Sequence, residues 1–292
     1  MDRDKLALEY SHAAYKIQLG DRILKGCGTN GNPEKGQQAA EESRDMIAES
    51  LKGTLMLFIT AGMGGGTGTG AAPVVAEIAR SMGILTIGFV TVPFEFEDRK
   101  CICSAEKGIV SLHEHVDALV VVPDSQLRYR QQKQRKFKPA ENFRKPDELL
   151  RQSVQSISSL IDEPVLINLD FEDICTIMRD TGYAHIGVGR GRGKDMARLA
   201  ARSAITSPLL GTPVSGARGV IVDICVPWDV GLDDVYEASQ MIQEQIGPDA
   251  FMLWGASQNK DLEDEMIVTV IATGINYEPE LKSMGGISND KK

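Results

Sequence analysis

The residues with the clearest chemical potential are 61–70, which read AGMGGGTGTG and contain five glycines and two threonines in their last seven positions. An apolar run, LMLFIT, precedes this segment, and AAPVVAEIAR follows it. Glycine permits positive φ and a close approach to backbone N–H groups, and a following helix directs the positive end of its dipole to the same place. A tight turn needs only one or two glycines, so the composition predicts a phosphate cradle between a strand and a helix.

Two common phosphate-binding motifs do not fit this segment. A P-loop requires a lysine after its last glycine, and no lysine follows here. A dinucleotide fingerprint counted from Gly62 and Gly64 places Thr67 where its third glycine should stand. A dinucleotide-dependent dehydrogenase is therefore excluded, since the acidic residue expected about 20 positions further on is also missing.

The segments that must position the cradle alternate between helix and apolar strand. The pattern predicts helices over 33–50, 71–82 and 98–115, and strands over 55–60, 84–91 and 118–122. Apolar strands separated by helices are typical of a parallel sheet that is covered on both faces. Ligands of such sheets bind at the carboxyl ends of the strands, which brings the glycine segment together with PFEFED (93–98) and PDSQ (123–126).

A second glycine-rich turn, GCGTNGNPEKG at 26–36, leads into the first of these helices. Asn32 is suited to the N-cap and Pro33 to the first helical position, and Gly53 ends the pattern. This turn is placed to line the same crevice.

The second half of the chain predicts a separate α/β unit. Leu150, Val154, Ile157 and Ile161 form an apolar stripe in a helix over 141–162, and the stripe is interpreted as core. Beyond Pro164 the pattern predicts strands at 165–168, 183–190, 218–226, 250–256 and 265–273 and helices at 171–179, 193–206 and 232–246. Two consecutive strands at the end indicate a mixed sheet.

Composition limits the classes of function. The chain has 292 residues, a formal net charge of −9 and 42% hydrophobic residues, which suits a globular protein with two cores and disfavours nucleic acid as the main partner. Five cysteines without CxxC spacing are interpreted as reduced thiols in a cytoplasmic protein. The basic stretch 128–145 is either a solvated lead-in to the long helix or a contact for a polyanion or acidic partner.

Several segments in order identify a family resemblance over Lys16 to Gly274. They are GGGTGTGAAPVVAEIA, TVPFEFED, EKGIVSLHEHVD, LRQSVQSISSLI, INLDFEDICTIM, ITSPLL, ARGVIVDI and DEMIVTVIATG. The sequence resembles the tubulin/FtsZ family, in particular the bacterial cell-division GTPases FtsZ, in a divergent and N-terminally short form.

The resemblance implies a tubulin/FtsZ-like α/β fold with an incomplete Rossmann-like parallel-sheet GTPase domain and a smaller α/β domain with a mixed sheet. Its implied boundaries are a nucleotide-binding domain at 1–140, a central core helix at 141–163, a C-terminal domain at 164–276 and a disordered tail at 277–292.

The resemblance also implies the residues of a nucleotide site for GTP or GDP with Mg²⁺. Those that match phosphate-binding positions, through backbone N–H groups and the threonine hydroxyls, are Gly28, Asn32, Gly64, Gly65, Gly66, Thr67, Gly68, Thr69 and Gly70. Glu97 matches a carboxylate that contacts the ribose, and Phe143 a residue that stacks on guanine. Asp147 lies four residues further along the same helix face and matches the carboxylate that accepts hydrogen bonds from guanine.

The catalytic residues implied by the resemblance are Asn168, Asp170 and Asp173 in INLDFED. In the family this loop enters the nucleotide site of the next subunit and orients the water that attacks the γ-phosphate. Asp170 and Asp173 also fit an N-cap and N3 pair for helix 171–179. The two interpretations are compatible.

The implied function is GTP hydrolysis between subunits of a head-to-tail homopolymer, which has open heterologous symmetry. The implied location is the cytoplasm, at the mid-cell division ring. The implied partners are further copies of the chain and other cell-division proteins, with no nucleic acid and only an indirect link to the membrane.

Three departures from the family pattern support an alternative. The family's first strand and first glycine-rich loop have no counterpart, Cys101 stands where an arginine is expected, and Asp124 stands where an asparagine is expected. A thiol does not replace a charge-assisted contact worth ~1.5–3 kcal/mol. The alternative is a non-hydrolysing, filament-associating protein with a crippled nucleotide pocket.

Overall fold

A computed structural model of the chain describes residues 1–2, 4–24, 29–93, 98–122, 151, 154–158, 161, 166–207, 210 and 213–275. The helices are α1 (Lys5–Tyr10), α2 (Asp21–Leu24), α3 (Pro33–Glu42), α4 (Arg44–Ser50), α5 (Gly66–Ser81), α6 (Arg99–His113), α7 (Phe171–Met178), α8 (Met196–Ile205) and α9 (Leu232–Gln243). The strands are β1 (Met56–Gly62), β2 (Leu85–Thr91), β3 (Ala118–Val122), β4 (Gly182–Arg192), β5 (Gly219–Val226), β6 (Phe251–Gln258) and β7 (Glu265–Thr273).

All seven strands belong to one sheet, in the order β1-β2-β3-β4-β7-β5-β6. The neighbouring pairs are parallel except that β7 runs antiparallel to both β4 and β5. The predicted parallel sheet and the predicted mixed sheet are both confirmed. A short parallel pairing of Ala118–Val120 with Gly182–Ala184 joins the parallel sheet and the mixed sheet into one. The sequence did not indicate this connection.

Alternate side chains of the strands supply separate cores on the two faces of the sheet. In the first half, Val90 and Leu119 pack towards α3, α4, α5 and α6. Phe89 and Val120, each next to one of these residues, face the opposite side and pack with Ile174 of α7. In the second half, a third core lies between the sheet and helices α8 and α9. Both faces are thus covered, as expected for strands that are apolar throughout.

The central helix is described at 151, 154–158 and 161. Ile157 is fully buried, and Val154 and Ile161 pack against the same core. Ser156 Oγ lies 3.0 Å from Thr269 Oγ1 and ties this helix to β7. The described part of the apolar stripe is therefore core, as predicted, while Leu150 lies outside the described residues.

The structure corrects three predicted elements. The helix predicted over 33–50 is broken at Ser43, whose buried hydroxyl accepts a hydrogen bond from the Gly20 N–H at 3.3 Å. The helix predicted to begin at residue 71 begins at Gly66. The described part of the strand predicted at 165–168 forms only one bridge, between Ile167 and Ala256.

Some regions singled out by the sequence lie outside the described residues, namely the basic stretch 128–145 and the tail 277–292. Within the described parts of the chain, no helix combines the length and apolar character needed to cross a membrane.

Candidate phosphate-binding site

The glycine segment lies at the carboxyl end of the sheet, where a parallel α/β fold places its ligands. Strand β1 ends at Gly62, and helix α5 begins only four residues later, at Gly66. The Met63 N–H donates to the carbonyl of Thr91, the last residue of β2, at 2.9 Å. The turn is thus held against the end of the neighbouring strand.

Thr69 holds the turn in shape from within the first turns of α5. Gly64 adopts a φ of +101°, a conformation that side chains rarely allow, and its N–H donates to Thr69 Oγ1 at 2.9 Å. Thr69 is only 4% exposed. Its hydroxyl therefore has a structural partner, and its predicted contact with phosphate stays a prediction.

Most glycines of the segment are required by packing. A Cβ at Gly66 would overlap the side chain of Thr29, and one at Gly70 would overlap the carbonyl of Pro33. A Cβ at Gly68 would overlap the carbonyl of Gly62 at the end of β1. These three glycines allow α5 to lie directly on α3 and on its own strand, so the glycine content is only partly explained by ligand binding.

The sequence analysis missed this packing role. The available signal was the spacing of four between Gly66 and Gly70, which places both on one face of a helix. A further close approach supports it, because a Cβ at Gly36 of α3 would overlap the carbonyl of Gly66.

Gly65 and the start of α5 offer the open part of the site. Gly65 is exposed, and no atom lies within 4 Å of the position that its Cβ would occupy. It is the N-cap of a helix of 16 residues, and no side chain caps that helix. Uncapped N–H groups at the positive end of a long helix suit an anion.

Thr29 adds a polar group beside the same helix end. Its side chain is fully buried, and its Oγ1 has no hydrogen-bond partner among the described residues. Buried polar groups are normally paired, and this one touches Gly66. The local chemistry fits a phosphate group, whose oxygens could accept from Thr29 and from the N–H groups of α5.

The second glycine-rich turn is described from Thr29 onwards, where it leads into α3. Asn30 and Gly31 both have positive φ, of 48° and 74°. Asn32 Oδ1 accepts from the Glu34 N–H at 2.9 Å, which confirms Asn32 as the N-cap of α3 and Pro33 as its first residue. The amide oxygen of Asn32 is therefore engaged in capping, and its part in ligand binding stays a prediction.

Cys101 lies directly against the glycine turn. Its Sγ and the ring of Pro93 flank the position that a Cβ of Gly64 would occupy. Helix α6 is held in place at its start by Asp98, which accepts from the Lys100 N–H at 3.2 Å. Helix α6 thus presents a thiol to the glycine turn. Lys100, the residue before Cys101, lines a neighbouring cleft of about 510 Å³ between α3, α5 and α6.

The acidic loop is attached to the edge strand opposite the one that leads into the glycine turn. Asn168, Asp170 and Asp173 are exposed, and Asp170 caps α7 by accepting from the Glu172 N–H at 3.2 Å. The bridge at Ile167 fixes the loop to β6. Strand β6 is six strand positions from β1, or about 29 Å along the sheet at a spacing of about 4.8 Å. The acidic loop and the glycine turn are thus attached to opposite edge strands of the sheet.

Four predicted site residues, Gly28, Glu97, Phe143 and Asp147, lie outside the described residues and stay predictions. Among the residues that are described, no three His, Cys, Asp or Glu side chains cluster as metal ligands would. Burial lowers the pKa of His113 and of His185. His113 ends α6 and His185 lies in β4, so neither marks the glycine turn.

Comparison with known proteins gives one consistent result along the chain. The family model described as "Tubulin/FtsZ family, GTPase domain" matches residues 1–129, and "FtsZ family, C-terminal domain" matches residues 182–276.

Solved structures agree with these family models. An empty FtsZ dimer from M. jannaschii is 34% identical, with a TM-score of 0.91 over 99% of this chain and 85% of that chain. A W319Y mutant of M. jannaschii FtsZ is 35% identical, with a TM-score of 0.88 over 94% of this chain and 81% of that one. CetZ2 from Haloferax volcanii, a GTPγS-bound protofilament, shares the fold with a TM-score of 0.77 at 18% identity, over 97% of this chain and 85% of that one.

Proposed function

This chain is a member of the tubulin/FtsZ family, and from that premise we propose that it binds GTP at the glycine turn and forms head-to-tail filaments that hydrolyse it between subunits. The observation that carries the proposal is the uncapped N-terminus of α5, where Gly65 is exposed and the unpartnered Oγ1 of Thr29 lies against Gly66. Backbone N–H groups there bind the phosphates. The remainder of the nucleotide contacts the predicted residues Glu97, Phe143 and Asp147.

The two ends of the subunit supply different halves of the catalytic site. Asn168, Asp170 and Asp173 are exposed and follow the bridge that ties Ile167 to β6, six strand positions from the strand that carries the glycine turn. In this proposal a second copy of the chain brings its acidic loop to the phosphates. An FtsZ dimer among the solved structures shows that a similar chain self-associates, and a repeated contact of unlike surfaces produces a filament.

The chain's acids act by position and charge. Asp170 is held at the start of α7 by its own capping bond, so its second oxygen has a defined direction from which to orient a water. Mg²⁺, when bound with the nucleotide, supplies charge neutralisation on the phosphate oxygens.

Selectivity for guanine tests the proposal. We expect labelled GTP to bind well and ATP to bind poorly, because Asp147 accepts hydrogen bonds that adenine cannot donate. Asp147→Asn should weaken GTP binding about tenfold or more, since a hydrogen bond to a charged group contributes ~1.5–3 kcal/mol. Glu148→Gln is the matched control, because it removes the same charge from the adjacent position. Equal affinity of the unaltered chain for ATP and GTP would contradict the assignment, and sedimentation with each nucleotide reports filament formation.

A second candidate function is favoured by one observation, the contact of Cys101 Sγ with Gly64. A thiol at this position does not supply the charge-assisted contact that an arginine would make to a phosphate, so the chain would join filaments while binding nucleotide weakly and without turnover. The intact acidic loop favours the first function.

Cys101→Arg separates the two candidates. We expect about tenfold tighter GTP binding from the added charge-assisted contact, measured by titration with labelled nucleotide. Cys103→Arg adds the same charge two residues further along α6, at an exposed position, and should change the affinity little. Equal affinities for the two variants would mean that position 101 contributes nothing to the site.

A role in cell division follows from the same proposal. It includes a place at the mid-cell ring in the cytoplasm, contacts with other division proteins and an indirect link to the membrane. The division of the chain at 1–140, 141–163 and 164–276 is part of it, with the first unit carrying the nucleotide and the third carrying the acidic loop.

A further inference from the structure

An open cleft of about 580 Å³ lies on the second half of the molecule, between the end of β4 and helix α8. Its walls are formed by Arg190 and Arg192 of β4, Glu265 of β7, and Arg202, Ser203 and Thr206 of α8, with Leu199. Neither the glycine turn nor the acidic loop contributes to this cleft.

Close packing of a strand and a helix brings the three arginines together. Gly187, Gly189 and Gly191 alternate along β4, and a Cβ at any of them would overlap the backbone of α8. The helix therefore lies directly on the strand. Arg202 of α8 is thus placed beside Arg190 and Arg192 at the end of β4.

One buried carboxylate orders two of the guanidinium groups. Glu265 lies opposite Arg192 in the β4–β7 register and is only 9% exposed. Its Oε1 accepts from Arg192 Nε at 3.1 Å, and its Oε2 accepts from Arg190 Nη1 at 3.3 Å. Each guanidinium has five N–H donors, so most of the donors of both arginines are left for another acceptor.

The cleft carries an excess of positive charge. Three arginines and one glutamate line it, and Arg202 is exposed and makes no ion pair with any described residue. Two positive charges therefore remain in a chain whose formal net charge is −9. Ser203 and Thr206 add hydroxyl groups. Thr206 Oγ1 donates to the carbonyl of Arg202 at 2.7 Å, which fixes the orientation of the hydroxyl and leaves the lone pairs of its oxygen to accept a hydrogen bond.

We propose that this cleft binds a phosphate monoester, in which two negative charges meet the two unbalanced guanidinium charges. The planar donors of arginine match phosphate oxygens in pairs. Glu265 holds the arginines in place before the ligand arrives, which lowers the entropy cost of binding. The ester can belong to a soluble metabolite or to a lipid headgroup, since both present the same dianion.

Two experiments on the full chain distinguish these sources. Glycerol 3-phosphate is titrated by calorimetry for the soluble source. Vesicles of phosphatidylcholine with phosphatidic acid, compared with phosphatidylcholine alone, are sedimented with the protein for the lipid source. Saturable binding in either experiment identifies the source, and binding in neither overturns the proposal.

Arg202→Gln should weaken the observed binding about tenfold, a change that corresponds to about 1.4 kcal/mol. This residue is exposed and leaves the ion pairs of Glu265 intact, so thermal unfolding should be unchanged, and Arg202→Lys should restore part of the affinity. Arg198→Gln is the matched control. It lies one turn earlier on α8, outside the cleft, where it pairs with Glu237.

A general attraction of anions to the basic surface predicts a different outcome. In that case Arg198→Gln and Arg202→Gln would weaken binding equally, and the proposed cleft would be wrong. Binding at the glycine turn would leave both variants equal to the unaltered chain, which would also overturn it. Because both variants lie away from the nucleotide site, these results are independent of whether the chain binds GTP.

Discussion

Asp170→Asn should reduce GTP turnover by assembled filaments roughly 100-fold or more, the usual effect of removing a group that assists a proton transfer. The substitution removes the negative charge but keeps an oxygen that can accept from the Glu172 N–H, the bond by which Asp170 caps α7. Asparagine caps helices as well as aspartate does. Stability in urea should therefore be unchanged, so that a loss of turnover reports the charge and not the fold.

Substitutions of two neighbouring acids show whether the loss of turnover is specific to the predicted catalytic residues. Asp173→Asn should give a similar loss, whereas Glu172→Gln, an exposed acid between the two, should leave turnover within about twofold because no role is assigned to it. Full turnover by both Asp170→Asn and Asp173→Asn, with filaments present in the pellet, would show that the two aspartates serve only as the start of a helix.

Complementation shows whether the site is shared between subunits. Asp173→Asn is impaired in the acidic half and Asp147→Asn in the nucleotide half, so at a GTP concentration well below the weakened affinity each should turn over GTP slowly alone. In an equal mixture about a quarter of the random head-to-tail contacts join two intact halves, and about a quarter of the original turnover should return. If co-sedimenting mixtures stay inactive, the two halves do not meet at a subunit contact.

Gly70→Ala should lower the free energy of unfolding by about 3 kcal/mol, the upper part of the usual range for overpacking. Helix propensity alone predicts the opposite sign, because alanine is favoured over glycine inside a helix by roughly 1 kcal/mol. The close packing of α5 on α3 outweighs helix propensity at this position. A Cβ at Gly70 would overlap the carbonyl of Pro33 and approach Gln37 N to 2.7 Å, and backbone atoms of α3 cannot move as a flexible side chain can.

Gly65→Ala is the matched control for this prediction. It lies five residues earlier in the same glycine segment, has a φ of −78° that alanine adopts readily, and has no atom within 4 Å of the added methyl group. Guanidinium unfolding should show a change within about 0.5 kcal/mol. If the two variants were equally stable, the close packing of α5 on α3 would not constrain Gly70.

The alternation of helices and strands could be predicted between residues 33 and 122 because its signals are local. Apolar runs gave β1, β2 and β3 to within two residues, and Asn32-Pro33 gave the start of α3. The break of the first long helix was not predictable. It occurs at Ser43, where the hydroxyl receives the N–H of Gly20, a residue 23 positions away.

For the candidate site, residue types and spacing by themselves determined the place of the glycine turn between β1 and α5, the caps of α3 and α7, and the family. These depend on backbone freedom and on short-range hydrogen bonds, which a sequence shows directly. Only the tertiary structure decided that Gly66 and Gly70 serve packing, that Cys101 lies on Gly64, and that Arg202 joins the arginines of β4. Each of these facts depends on which surfaces of distant segments come into contact, and that is set by burial of the whole core and not by neighbours in the chain.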